Sequence, residues 1–97
     1  MTYLIRKDNK TYKVEDFDTG EYVLSVTRLY PERNTIGHWH DNDEVYFIAN
    51  GVGKIQVGLD EKIVKSGEFI HVPCKAFHRV WNTGLDDLVF VCGWIHD

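Results

Sequence analysis

Val45-Tyr46-Phe47-Ile48-Ala49-Asn50-Gly51-Val52-Gly53-Lys54-Ile55-Gln56-Val57 is the stretch whose reading decides the fold. Two runs rich in β-branched and aromatic residues flank Asn50-Gly51, the dipeptide that most readily takes up the left-handed backbone of a tight hairpin turn. The expectation is a strand over 45–49, a turn, and a return strand over 52–57.

The same texture extends in both directions. Upstream, Tyr22 to Tyr30 reads as a strand ended by Pro31. Downstream, Gly58 to Lys62 is a second turn, followed by Ile63-Val64-Lys65, a break at Ser66-Gly67, and a strand from Glu68 to Val72 that stops at Pro73. His78 to Trp81, the turn Asn82-Thr83-Gly84, and Leu88 to Ile95 complete the series. No segment sustains a helical period, and the spacing leaves no room for crossover helices. Short strands at even intervals predict an all-β, antiparallel sandwich or barrel. In the first twenty residues only Thr11 to Val14 reads as a small edge strand, and Asp16 to Gly20 reads as a loop.

At 97 residues, with 43% hydrophobic and 13% aromatic content, the chain supports one core and argues against disorder. It is read as a single domain over 1–97, with 1–20 as an N-terminal arm or edge strand and 21–97 as the barrel. Net charge is -4, from 15 acidic and 11 basic residues without a basic block, which speaks against nucleic acid and anionic membranes as partners. Cys74 and Cys92 are the only cysteines, so two reduced, buried thiols are expected. The N-terminal residues carry no apolar stretch of signal-peptide type, and nothing approaches transmembrane length, so a cytoplasmic protein is expected.

Gly37-His38-Trp39-His40-Asp41-Asn42-Asp43-Glu44 carries the chemistry. Histidines two apart on a strand point to one face, Glu44 opens the next strand, and His78 begins a later one with Asn82 on its face. Imidazole nitrogens and a carboxylate are ligands for a transition metal. The spacing Gly37-His38-x-His40-x3-Glu44-x6-Gly51 resembles the first signature motif of the cupins, and Gly67-x5-Pro73-x4-His78-x3-Asn82 resembles the second. The segment between them has the length of a short cupin linker. One departure stands out: where the second motif has a glycine two residues after the proline, this chain has Lys75, which puts the turn conformation in question.

The resemblance implies a small jelly-roll barrel in which His38, His40, Glu44 and His78 hold one divalent transition metal (Mn, Fe, Ni, Co, Cu or Zn). It also implies a homodimer, for which Tyr3-Leu4-Ile5 could supply an edge strand. Tyr46 and Ile48 share the parity of Glu44 and, with Val80, are the candidate substrate-pocket residues; no catalytic residue is assigned. Arg28 is read as an ordinary surface arginine, and would bind an anion only if its face of the strand is the inner one. Trp39 should point away from the histidines and pack on the second sheet or a partner, Asn82 should anchor its strand, and Cys74 should be inertly buried. The function expected is a small metal-dependent enzyme, of isomerase or dioxygenase type, on a polar carbonyl, hydroxy or acid small molecule. The alternative is a non-catalytic ligand-binding or sensor module.

Overall fold

The computed structural model describes residues 1–96, and within them nine strands and no helix. They are β1 (Thr2–Asp8), β2 (Tyr12–Asp18), β3 (Tyr22–Leu29), β4 (Glu44–Asn50), β5 (Val52–Val57), β6 (Asp60–Lys65), β7 (Phe69–Val72), β8 (His78–Asn82) and β9 (Leu88–Ile95). Six form a sheet in the order β1-β2-β3-β9-β4-β7, and three form a second sheet in the order β6-β5-β8, with every pairing antiparallel. With no helix present, nothing in this region forms a helix long and apolar enough to cross a membrane.

Strict alternation builds the core. Along β3, Val23, Ser25, Thr27 and Leu29 are buried while Tyr22, Leu24 and Arg28 are exposed, the period-two signature of a sheet with one covered face. Leu29, Ile48, Ile55, Val64 and Leu88 close one end of the barrel and are almost wholly shielded from water. The inward positions toward the other end include Ser25, Thr27, Glu44 and His78, so the barrel is apolar at one end and polar at the other.

Two expectations fail here. Asn50-Gly51 does turn the chain, with Gly51 at φ +89°, but β5 does not pair back on β4. The turn is a corner between the two sheets. The Asn50 side-chain amide donates to the Asp87 carbonyl and the Ser66 amide donates to the Gly51 carbonyl, so both turn residues are tied to other strands. Each strand has inward residues to bury, Tyr46 and Ile48 on β4 and Gly53 and Ile55 on β5, and each buries them by joining a different sheet. The tight hairpin is instead β5–β6, closed by Gly58-Leu59 between the paired residues Val57 and Asp60, with Gly58 at φ +60° as the first central residue.

The second failure concerns the N-terminal twenty residues. Asp16 to Asp18 are strand and not loop, and β1 and β2 add two strands to the large sheet. Their alternation is hard to read because β1 is exposed along its whole length and β2 only half-buried.

The edge of β8 is covered by an extended segment, Arg33 to His38. Thr35 and His38 donate backbone hydrogen bonds to the Val80 and His78 carbonyls, and the His78 and Asn82 amides donate back to His38 and Arg33. Asn82 anchors the far end of β8: its amide donates to the Leu29 and Asp86 carbonyls, each at 2.9 Å, and its oxygen accepts from the Gly84 amide. Replacing it with alanine removes all three bonds and strands a buried carbonyl. Asn82→Ala should lose about 2–4 kcal/mol of stability, read as a lower urea midpoint at unchanged slope; a loss below about 0.5 kcal/mol would contradict this role.

Candidate metal centre

His38, His40 and His78 meet at the polar end of the barrel, with one ring nitrogen from each lying within 4.8 Å of the others. The sequence-derived expectation that His38 and His40 share a strand needs a correction. They lie on extended backbone that belongs to no full strand, and His38 makes only a single bridge, to His78. The two-residue period survives because the segment is still extended, so both rings face the same side. Glu44 opens β4 as expected and is buried, with its Oε1 3.2 Å from His40 Nε2. It approaches the triad through His40.

The local backbone holds these rings in place. His38 Nδ1 lies 2.9 Å from the Ile36 carbonyl and His78 Nδ1 lies 3.2 Å from the Ala76 carbonyl. A carbonyl only accepts, so each Nδ1 carries the hydrogen and each Nε2 keeps its lone pair. A Cβ at Gly37 would overlap the Phe77 ring, so the glycine lets that aromatic pack between the two histidine segments. Lys75 adopts φ +64°, the left-handed backbone that a glycine takes without strain, at a cost of about 1 kcal/mol for a side chain. The turn thus closes with a lysine in a conformation that suits glycine. Its Lys75 amide donates to the His40 carbonyl at 2.6 Å, and the neighbouring Cys74 amide donates to Asp43 at 2.7 Å.

His78 Nε2 is the telling atom. His78 is 1% exposed, and its Nε2 is buried without any hydrogen-bond partner. An orphaned buried lone pair is costly. Here it is surrounded by the other two imidazoles, with ring centroids 4.3 Å (His38) and 5.1 Å (His40) away. Ligand atoms around one ion with bonds near 2.1 Å stand roughly 3.0–3.4 Å apart. The His40–Glu44 contact at 3.2 Å already meets that spacing, and the three imidazole nitrogens lie within 4.8 Å of one another. The donor set is thus suited to a metal ion. Burial, more than any other cause, lowers the His78 pKa below its ordinary value, and the neighbouring His38 adds to the effect.

The cluster opens into a cavity of about 580 Å³, in the range of small-molecule sites. Tyr46 and Val80 line it as expected; Ile48 does not, being packed instead in the apolar end of the core. It shares the parity of Tyr46 but lies one pleat deeper. Tyr46 stacks on Phe90 and meets His78 edge-on at 5.9 Å. Burial, reinforced by the charge of Glu44, raises its pKa far above the ordinary tyrosine value, so the phenol keeps its proton. Burial likewise pushes the Cys92 thiol up to about 12, leaving an unreactive thiol in the cavity wall.

Arg28 faces outward, as expected of a surface arginine, and lies 3.8 Å from Asp87. Other expectations fall away. Cys74 is exposed, its thiol against the Asp41 carbonyl, because its turn rides over the outside of the 41–43 loop. Trp39 is 66% exposed and so is not buried against the second sheet of its own chain. The sequence reading missed Arg6, Lys7 and Tyr12, which the N-terminal strands bring to the cavity.

The cupin domain family model matches residues 25–94, and the chain belongs to the cupins. The chain is similar in fold to a cupin-2 domain protein from Rhodospirillum rubrum, with TM-score 0.85 and 16% identity over 99% of this chain and 70% of that one. It is similar to an RmlC-like cupin from Shewanella frigidimarina, with TM-score 0.80 and 14% identity over 95% of this chain and 82% of that one. A variant of oxalate decarboxylase from Bacillus subtilis matches with TM-score 0.84 and 20% identity over 94% of this chain, which spans only 27% of the decarboxylase. Identities this low speak to fold alone. No curated protein matches the chain in sequence.

The depressed His78 pKa has a thermodynamic consequence for the metal-free protein. Below about pH 6.5 the unfolded chain takes up a proton at this residue that the folded chain refuses, so this contribution is complete above 6.5 and lost as pH falls through the folded-state value. The urea midpoint of chelator-treated protein should therefore drop between pH 7.5 and 5, and His78→Gln should drop less; equal drops would contradict the assignment.

Proposed function

We propose that this cupin is a small metal-dependent enzyme whose ion is held by His38, His40, His78 and Glu44. The reading rests above all on His78 Nε2, a buried lone pair with no partner inside a triad of imidazoles. The ion would be a single divalent transition metal. When bound, it would supply Lewis-acid polarisation of a substrate oxygen, or oxygen chemistry if it is iron. The chain's own residues do the rest. Tyr46, held protonated, donates a hydrogen bond to a substrate oxygen beside the cluster, while Phe90 and Val80 keep that side of the cavity apolar. The substrate class is a small polar carbonyl, hydroxy or acid molecule, and the chemistry is of isomerase or dioxygenase type. A ligand-binding module without turnover shares the same site and is separated from the enzyme by the absence of substrate depletion.

Elemental analysis of protein purified without added metal should give near one ion per chain for the wild type. His38→Ala and His40→Ala should each lower affinity at least a hundredfold in a competition titration with a chelating dye, with the fold retained by circular dichroism. Full metal content in His40→Ala at unchanged affinity would overturn the ligand assignment.

The chain is proposed to act as a homodimer through the outer face of its large sheet. Two apolar rows cross that face, Tyr3-Phe17-Leu24-Gly93-Val45 and Val26-Val91-Phe47-Phe69. Phe69 is 68% exposed and Ile95, at one end, is 76% exposed. The exposed apolar side chains present on the order of 700 Å², near the roughly 800 Å² per partner of a standard interface and more than a monomer ordinarily shows. A second copy of the same face is the occupant that a two-fold axis provides. Sedimentation equilibrium should give twice the 11.3 kDa chain mass, and Leu24→Glu with Phe47→Glu should give monomers that keep the metal. A wild-type monomer would contradict the dimer.

A further inference from the structure

The register of β1 against β2 slips by one residue between Ile5 and Lys7: Ile5 pairs with Glu15 and Lys7 pairs with Val14. Arg6 is the extra residue of a β-bulge. In an unbroken strand, inward positions would continue from Leu4 to Arg6 and then to Asp8. The bulge changes that sequence, so that Arg6 and Lys7 both line the cavity while Asp8 pairs with Lys13 on the outer face. Re-aiming a side chain beside a site is a recurrent use of such irregularities. Here one inserted residue exchanges an inward carboxylate for an inward ammonium.

The two cations are held differently. Arg6 Nε donates to Asp16 at 2.8 Å, and its Nη2 donates to Ser25 Oγ at 3.2 Å. Asp16 thus neutralises and orients the guanidinium, and Nη1 has no partner among the described residues. Lys7 Nζ donates to the Tyr12 hydroxyl at 3.2 Å and lies 5.4 Å from the centre of that ring. No carboxylate lies within ion-pair distance of it among the described residues. Arg6, Asp16 and Lys7 together leave one uncompensated positive charge, in a chain whose net charge is -4.

This group stands apart from the imidazoles. Ser25 pairs with Cys92 and Cys92 with Tyr46, so Ser25 and Tyr46 lie two strands apart in one inward row, about 10 Å at ordinary strand spacing. The cavity spans both.

We infer that Arg6 and Lys7 form an anion subsite that takes the distal carboxylate of a small acid whose other end lies at the histidine cluster. The Arg6 fork presents free N–H groups, and Lys7 supplies the net charge that matches one carboxylate. The ligand class is therefore a short-chain acid with oxygen donors at one end and a carboxylate at the other. This rests on the metal reading only for the orientation of the ligand, since the subsite itself consists of protein groups.

The test compares 2-oxoglutarate with 2-oxobutanoate, which share a head group and differ in the distal carboxylate. Binding would be followed by the fluorescence of Trp94, which lines the cavity, with and without a chelator. 2-Oxoglutarate should bind at least tenfold more tightly than 2-oxobutanoate. That ratio should fall toward one in Arg6→Gln with Lys7→Gln, and at least threefold in Lys7→Gln alone, whose side chain bonds only Tyr12. The affinity for 2-oxobutanoate should not change. A ratio that survives chelation and disappears in the variants supports the subsite even if the metal assignment fails. A wild-type ratio near one, or a ratio unchanged in the variants, would overturn the subsite whatever the metal content.

Discussion

The reciprocal backbone bridge between His38 and His78 is the constraint on which the site depends. The His38 amide donates to the His78 carbonyl at 3.1 Å and the His78 amide donates back at 2.8 Å. Residues forty positions apart are thereby fixed side by side, and both imidazoles project from the same small patch of backbone. The same pairing covers the free edge of β8, which would otherwise expose a row of unpaired amides. On one side the Phe77 ring sits against Gly37, and on the other the Lys75 amide grips the His40 carbonyl. The two sequence motifs are thus the two halves of one clamp, which closes the barrel edge at the site.

That clamp also divides the interior. Leu29, Ile48, Ile55 and Leu88 fill one end and are almost wholly shielded from water. Glu44, Tyr46 and the imidazoles stand at the other, where the sheets part. Among the described residues the buried polar side chains are answered, Asn82 at the far end of β8 among them, with one exception, His78 Nε2. In a barrel this well satisfied, one orphaned lone pair among two further imidazoles is better explained by a ligand than by tolerance of its cost.

Much of this was legible in the chain. Most strand positions from Tyr22 onward followed from alternating apolar residues and from Pro31, Gly67 and Pro73, and Leu88–Ile95 was placed to the residue, whereas Asp60 to Lys62, read as turn, belong to β6. His38 and His40 could be paired because extended backbone keeps a period of two even where no full strand forms, and their grouping with Glu44, His78 and Asn82 came from the resemblance to the two cupin motifs. What failed was partner choice. Asn50-Gly51 specifies a turn in both a hairpin and a sheet corner, and only long-range pairing distinguishes them. Ile48 could not be told from Tyr46 by parity, because depth along a strand decides which residue meets the cavity. β1 was missed for a related reason: an exposed strand shows no apolar alternation, and a bulge interrupts what period there is. The cations at the cavity were hidden by the same irregularity that places them.

One metal ion is proposed to sit among His38, His40, His78 and Glu44. Anomalous diffraction from a crystal of the metal-loaded protein, recorded above and below the absorption edge of its ion, tests it most directly. The account predicts a single strong peak per chain, about 2.0–2.2 Å from one nitrogen of each histidine and from a Glu44 oxygen. A peak elsewhere, or one bonded to fewer than three of these four side chains, would contradict it.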